Sequence, residues 1–108
     1  MANTFTSYVA KDVGTSASTL VTVASATQTT LIGLTVANTS ASAITCDVYF
    51  TRSAVNYYIV KGAVVGSGRT FVAVGGDQKT VLITSDALKV VTSAAASADV
   101  IASVLNIT

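Results

Sequence analysis

AITCDVYFTR, residues 43–52, alternates apolar and polar side chains along its length. Ile44, Cys46, Val48 and Phe50 fall on one side of an extended chain, and Thr45, Asp47, Tyr49 and Thr51 on the other. That period of two marks a strand with one buried face. The residue types agree, because β-branched and aromatic side chains suit a pleated surface. Cys46 stands between Ile44 and Val48 on the apolar side and is the only cysteine, so it reads as a small core residue and no internal disulfide is possible.

The same pattern extends outward in both directions. Short apolar-alternating runs occur at Phe5–Val9, Leu20–Ala24, Thr30–Ala37, Tyr57–Val64, Thr70–Val74, Thr80–Ile83, Leu88–Thr92 and Asp99–Ile107. Between them lie small and polar stretches, GTSAS, SAT, NTSAS, RSAVN, GSG, GGDQ, TSD and SAAASA, which are turn chemistry. Strands returning this often predict an antiparallel β-sandwich, jelly-roll or Ig-like, of about 8 to 9 strands in one domain over residues 1–108. The alanine-rich SAAASADVIASVL is the segment most tolerant of helix. Val100, Ala102 and Val104 alternate with Ile101, Ser103 and Leu105, however, and predict a final strand. With no proline in the chain, the sheet edges lack one common guard against pairing with another chain.

Composition bounds the function. Of 108 residues 51% are hydrophobic and 10% charged, against about 25% charged in an ordinary soluble domain. Mean hydropathy is +0.67. A small domain buries only part of its apolar surface, so the excess predicts a homo-oligomer or a place in a larger assembly. The net charge of +1 gives no field that would recruit nucleic acid or an anionic membrane. No apolar run approaches the ~20 residues needed to cross a bilayer, and MANTFTSYVA lacks the basic start and apolar stretch of a signal peptide.

The glycine pair in FVAVGGDQKTVL, residues 71–82, is the one place where a phosphate-cradling loop could be suspected. Such loops lead into a helix whose N-terminus faces the anion, whereas here a strand, TVLIT, follows. The sequence predicts a turn, with Gly75 and Gly76 at positive φ and Asp77 bonding back to nearby amides. The next turn would hold Asp86, with Leu88 and Val90 inward and Lys89 in water.

Catalysis lacks its usual residues. There is no histidine and no glutamate, and Cys46 has no imidazole to ionise it. Asp12, Asp47, Asp77, Asp86 and Asp99 are scattered singly, as turn and surface residues are, with no metal-binding spacing. The expectation is a protein that is not an enzyme and carries no cofactor or metal. The aromatic residues are more informative: VYFTRSAVNYYIVKG gathers Tyr49, Phe50, Arg52, Tyr57, Tyr58 and Lys61 on one predicted hairpin. Tyr57 and Tyr58 face opposite sides, which predicts one in the core and one exposed. Tyr49 would pair across the strands with one of them. Tyrosine and arginine are favoured interface anchors, so Tyr49, Arg52, Tyr57, Tyr58 and Lys61 are the candidate contact residues.

The stretches MANTFTSYVAKDVGTSASTLVTV, IGLTVANTSASAITCDVYFTR, YYIVKGAVV, FVAVGGDQKTVL and DALKVVTSAAASADVIASVL together resemble a family of small virion structural proteins of tailed bacteriophages, found in marine and cyanobacterial phages. IGLTVANT, VKGA and VGGDQK carry most of the specificity. Two features depart from that pattern: Ser25 to Thr29 lack the proline-bearing turn, and Asn106 stands where an acidic residue is often found. The resemblance implies a virion location and a passive, repeated unit of the neck, tail, baseplate or capsid surface. Its partners would be itself and other virion proteins. The rival from another class is a carbohydrate-binding module that stacks sugars on Tyr57 or Tyr58 beside Asn56.

Overall fold

The computed structural model describes residues 2–75 and 79–108. Among these residues nine strands form: β1 (Asn3–Val13), β2 (Ser18–Thr22), β3 (Gln28–Asn38), β4 (Ile44–Arg52), β5 (Val55–Val65), β6 (Thr70–Val74), β7 (Thr80–Leu82), β8 (Ala87–Thr92) and β9 (Ala98–Ile107). Every predicted run becomes a strand, including the alanine-rich final one, and no helix forms among the described residues.

The strands make two sheets in which every pairing is antiparallel. One has the order β1-β9-β3-β6, with β7 also on β3; the other has the order β2-β8-β4-β5. β9 occupies one edge of β3 from Gln28 to Asn38, so β6 and β7 must share the other, β6 beside Leu34–Ala37 and β7 beside Thr29–Leu31. Counted as one interrupted edge strand, they leave eight strands whose sheets read 1-8-3-6 and 2-7-4-5. This is the double Greek key of a jelly roll. An Ig-like sandwich, which pairs its first two strands in one sheet, does not fit.

The core lies between the sheets where the alternation predicted it. Ile44, Cys46 and Val48 of β4, Leu88 and Val90 of β8, Leu31, Leu34 and Val36 of β3, and Val100, Ala102 and Val104 of β9 are all buried. Burial, with the negative charge of Asp47 beside it, pushes the Cys46 thiol pKa up, which suits a packing role. The few polar groups inside are satisfied. Asn38, 2% exposed, donates from Nδ2 to the carbonyls of Ser42 (2.8 Å) and Val65 (2.9 Å), and its Oδ1 accepts from the amide and hydroxyl of Ser40. One side chain thereby shapes the whole NTSAS connection. Asn106 accepts from Thr29 Oγ1 at 2.7 Å and donates to the Tyr8 hydroxyl at 3.1 Å. An acidic residue there could not make that donation when ionised.

Two of the edge strands, β1 and β5, are guarded by bulges in place of proline. On β1, Lys11 and Asp12 oppose the single residue Asp99; on β5, Lys61 and Gly62 oppose the single residue Asp47. Both bulges use the same chemistry. The second residue has positive φ, 55° at Asp12 and 71° at Gly62, and its N–H donates to Oδ1 of the opposing aspartate, at 3.1 and 2.7 Å. The lysine reaches Oδ2 of that aspartate at 3.4 Å in each case. A bulge carrying lysine twists an edge away from a would-be neighbour.

Two local expectations need correction. Gly75 is not at positive φ; a Cβ there would meet Val72 Cγ1 at 2.9 Å, so its lack of a side chain relieves crowding. Gly76 and Asp77 lie outside the described residues. Asp86 does sit in a turn, yet its side chain is only 1% exposed, because it is held in an ion pair.

Candidate functional site

The hairpin β4–β5 carries all five candidate contact residues. It turns through only two residues, Ser53 and Ala54, between the paired Arg52 and Val55. Both have positive φ, 53° and 62°, the type I′ geometry that matches strand twist but ordinarily selects Asn-Gly.

Two aromatic pairs brace the hairpin, one on each face. Tyr49 and Tyr58 are opposite in register with ring centroids 5.0 Å apart, as predicted for Tyr49 and one of the two tyrosines. Phe50 and Tyr57 stack at 5.5 Å on the other face. Cations finish both pairs: Lys61 Nζ lies 4.6 Å from the Tyr58 centroid, and the Arg52 guanidinium lies 5.2 Å from that of Phe50. Lys61 is held firmly protonated by Asp47 and then by Tyr58.

The candidates therefore divide. Tyr49, Tyr58 and Lys61 gather on the outer face of the β2-β8-β4-β5 sheet, whereas Arg52 and Tyr57 lie on the face that looks toward the other sheet. Tyr57 and Tyr58 do face opposite ways, but neither is in the core: they are 49% and 46% exposed. Alternation assigns sides correctly and burial wrongly, because β5 is an edge strand and Val55–Tyr58 are exposed along both faces.

Arg52 forms a close, multiply bonded ion pair with Asp86. Its Nη2 donates to Asp86 Oδ2 at 2.6 Å and its Nε to both carboxylate oxygens at 3.0 and 3.1 Å, while Asp86 also accepts from the Ile83 amide at 2.9 Å. The guanidinium holds the Asp86 carboxyl below the usual carboxylate range, with burial opposing and the Ile83 amide assisting. Backbone bonds from Val23 N to Asp86 O and from Ser85 N to Val23 O, each 2.9 Å, tie the end of β2 to the same turn. The pair joins the hairpin to the β7–β8 corner. Sequence reading missed Asp86 and Asn38 because nothing local separates a buried polar residue from an exposed one.

Neither a family model nor a curated protein matches the chain.

An open cleft of about 500 Å³ lies where Ala26–Gln28, Ile83–Thr84 and Ile107–Thr108 meet, and it is lined without an ionisable side chain. A second, of about 250 Å³, lies between Val9–Lys11 of β1 and Asp99–Ile101 of β9. Among the described residues, no three of His, Cys, Asp and Glu converge to hold a metal ion. The arrangement supports contact chemistry: rigid aromatics, paired charges and apolar strands.

Proposed function

We propose that this chain is a non-catalytic structural unit of a tailed-phage virion, present in repeated copies that associate with each other and with neighbouring virion proteins. One observation carries the reading. Ten large apolar side chains among the described residues are 42–75% exposed, on a body only 22 Å across its thinnest direction. Covering such side chains contributes about 25 cal/mol per Å² of apolar area removed from water, and a partner can supply that cover. The braced hairpin supports the same reading, since Tyr57 and Tyr58 are held in place before contact and lose little rotamer freedom on binding. The virion setting rests on the resemblance in the sequence. Jelly rolls serve both capsids and lectins, so the fold does not choose between them.

The side chains favour assembly over sugar binding. Tyr58 is already flanked by Tyr49 and the Lys61 ammonium, and Tyr57 is stacked on one side by Phe50. Mass spectrometry of density-purified particles, from cultures that carry the gene, should find the chain at many copies per particle. Absence from such particles refutes the virion setting. Retention on a glycan column that is lost in both Tyr57→Ala and Tyr58→Ala would transfer the function to the rival.

A further inference from the structure

The register of the β1-β9-β3-β6/β7 sheet sorts its outer face into rows running across the strands. Val9, Ile101, Thr35 and Val72 stand in one row, and Phe5, Leu105, Thr30 and Val81 in another. Between the two rows, β1 and β9 present only Ser7 and Ser103, opposite each other, and the β3 bulge at Ile32–Gly33 closes the far side. The apolar rows are well exposed: Phe5 75%, Val9 70%, Val72 59%, Val81 53% and Ile101 51%. Among the described residues charge enters at the margins, as Lys11, Asp12 and Asp99 at the end row and as Lys79 where β7 begins. The other sheet differs: its outer face carries Lys89, Asp47 and Lys61 among its rows.

We infer that this face takes a second copy of the chain, packed sheet on sheet about a two-fold axis that lies between the Ile101 and Ser103 rows and parallel to them. That operation places β9 over β9 and β1 over β1. It sets Val9 and Ile101 of each copy over Ser7 and Ser103 of the other. One row further out, it brings Phe5 of each copy over the 250 Å³ cleft between Val9–Lys11 and Asp99–Ile101. The most exposed large apolar side chain thus meets a concavity of suitable size on an identical surface. A surface that offers both the projection and its recess in two-fold relation is self-complementary, which is what an isologous dimer requires. A face whose charges stand at its margins, with Lys11 paired to Asp99, meets its own copy with little like-charge penalty across its centre, and Ser7 and Ser103 can bond to each other when water leaves.

Size agrees. Four strands about 4.8 Å apart, over roughly seven residues at about 3.4 Å each, make a face of some 450 Å² in flat projection. Two such faces remove on the order of 1,000 Å² of accessible surface, about the lower bound for a specific interface. Aligned sheet packing at about −30° is the expected geometry.

This inference deepens the structural reading above, and the experiment separates the two. Sedimentation velocity across a dilution series should show a reversible dimer for the natural chain. Phe5→Ala and Ile101→Lys should each raise the dissociation constant on the order of 100-fold or more, as loss of a central apolar anchor does, while Val64→Lys on the opposite sheet leaves it unchanged. Ser103→Lys, at an exposed position without a packing role, should act like Ile101→Lys and serves if that variant folds poorly by circular dichroism. Self-association that survives Phe5→Ala and Ser103→Lys but fails in Val64→Lys overturns this face and leaves assembly standing. A natural chain that stays monomeric at the highest concentration overturns the two-fold pair, with the particle composition then deciding the structural reading.

Discussion

Asp86→Asn isolates the charge of the buried carboxylate with little change in shape. In the native protein Asp86 accepts two-pronged bonds from Arg52 and one from the Ile83 amide, and it is 1% exposed. A hydrogen bond to a charged group contributes about 1.5–3 kcal/mol net. Because Arg52 is 38% exposed and reaches water, the lower half of that range applies. Asp86→Asn should therefore cost about 2 kcal/mol at pH 7. Asp86→Ala, which also leaves the Ile83 amide unpaired, should cost about 3 kcal/mol. In a domain of this size 2 kcal/mol lowers the melting temperature by roughly 8 °C.

The pH dependence distinguishes this account from a simple packing defect. The folded pKa of Asp86 is depressed, so its contribution is complete above the unfolded value of about 3.9 and is lost as pH falls through the folded one. The asparagine variant has no such contribution. The gap between the two proteins should be widest at neutral pH and should close on acidification below about pH 4. Asp99 is also depressed, chiefly by the Asp12 amide, but it is common to both proteins and cancels in the difference. Urea denaturation followed by circular dichroism, at one fixed protein concentration so that association contributes equally, reads the gap directly. A difference at pH 7 below about 0.5 kcal/mol, or one that persists undiminished at pH 2, refutes the reasoning.

The buried amide, the hairpin turn and the edge bulges each give a further outcome. Asn38→Asp turns an amide that donates to two buried carbonyls into an acceptor facing them, and should cost about 3 kcal/mol in chemical denaturation; a loss under 1 kcal/mol counts against the role given to Asn38. The double change Ser53→Asn with Ala54→Gly relieves two residues at positive φ and should raise stability by about 1 kcal/mol in a thermal melt, so an unchanged melt would contradict the turn geometry. The two edge bulges should respond oppositely to exchange of their second residue. Gly62→Ala, with open space but φ of 71°, should cost about 1 kcal/mol, whereas Asp12→Gly should be neutral or stabilising; equal effects would break the parallel.

The strands were legible because each obeys a local rule, alternation between turn residues, and AITCDVYFTR already sorted Ile44, Cys46 and Val48 from Thr45 and Asp47. Burial at the edges was not legible. Tyr57 would be core in a central strand and is half-exposed only because β5 has no neighbour beyond it, a fact about strand order that no window of sequence contains. Asp86 shows the same limit from the other side: its burial depends on Arg52, 34 residues away. VKGA, residues 60–63, contains the two residues of one edge bulge. Lys61 and Gly62 form the β5 bulge, and Lys11–Asp12 repeats it on β1 with aspartic acid at the position that glycine suits.

Those bulges bear on how the molecule can associate. A chain this apolar with open sheet edges would be expected to add strands end on end, and the missing proline suggested that route. β1 and β5 are instead each interrupted by a lysine-bearing bulge, fastened by an aspartate from the neighbouring strand, so the long edge of either sheet cannot present an unbroken ladder. The apolar surface left exposed lies on faces, above all the one bearing Phe5, Val9 and Ile101. Contact through a face leaves every backbone ladder intact and closes after one partner when the operator is two-fold, whereas contact through an edge propagates. Removing the guard should therefore change the kind of assembly as well as its strength. Lys61→Val with Gly62→Val, which strips the lysine and the positive-φ glycine from the β5 bulge, should convert the inferred dimer into concentration-dependent fibres seen by thioflavin fluorescence and electron microscopy. If that variant instead stays dimeric and soluble through prolonged incubation, the bulges do not restrain the edges, and the choice of face over edge loses its physical basis.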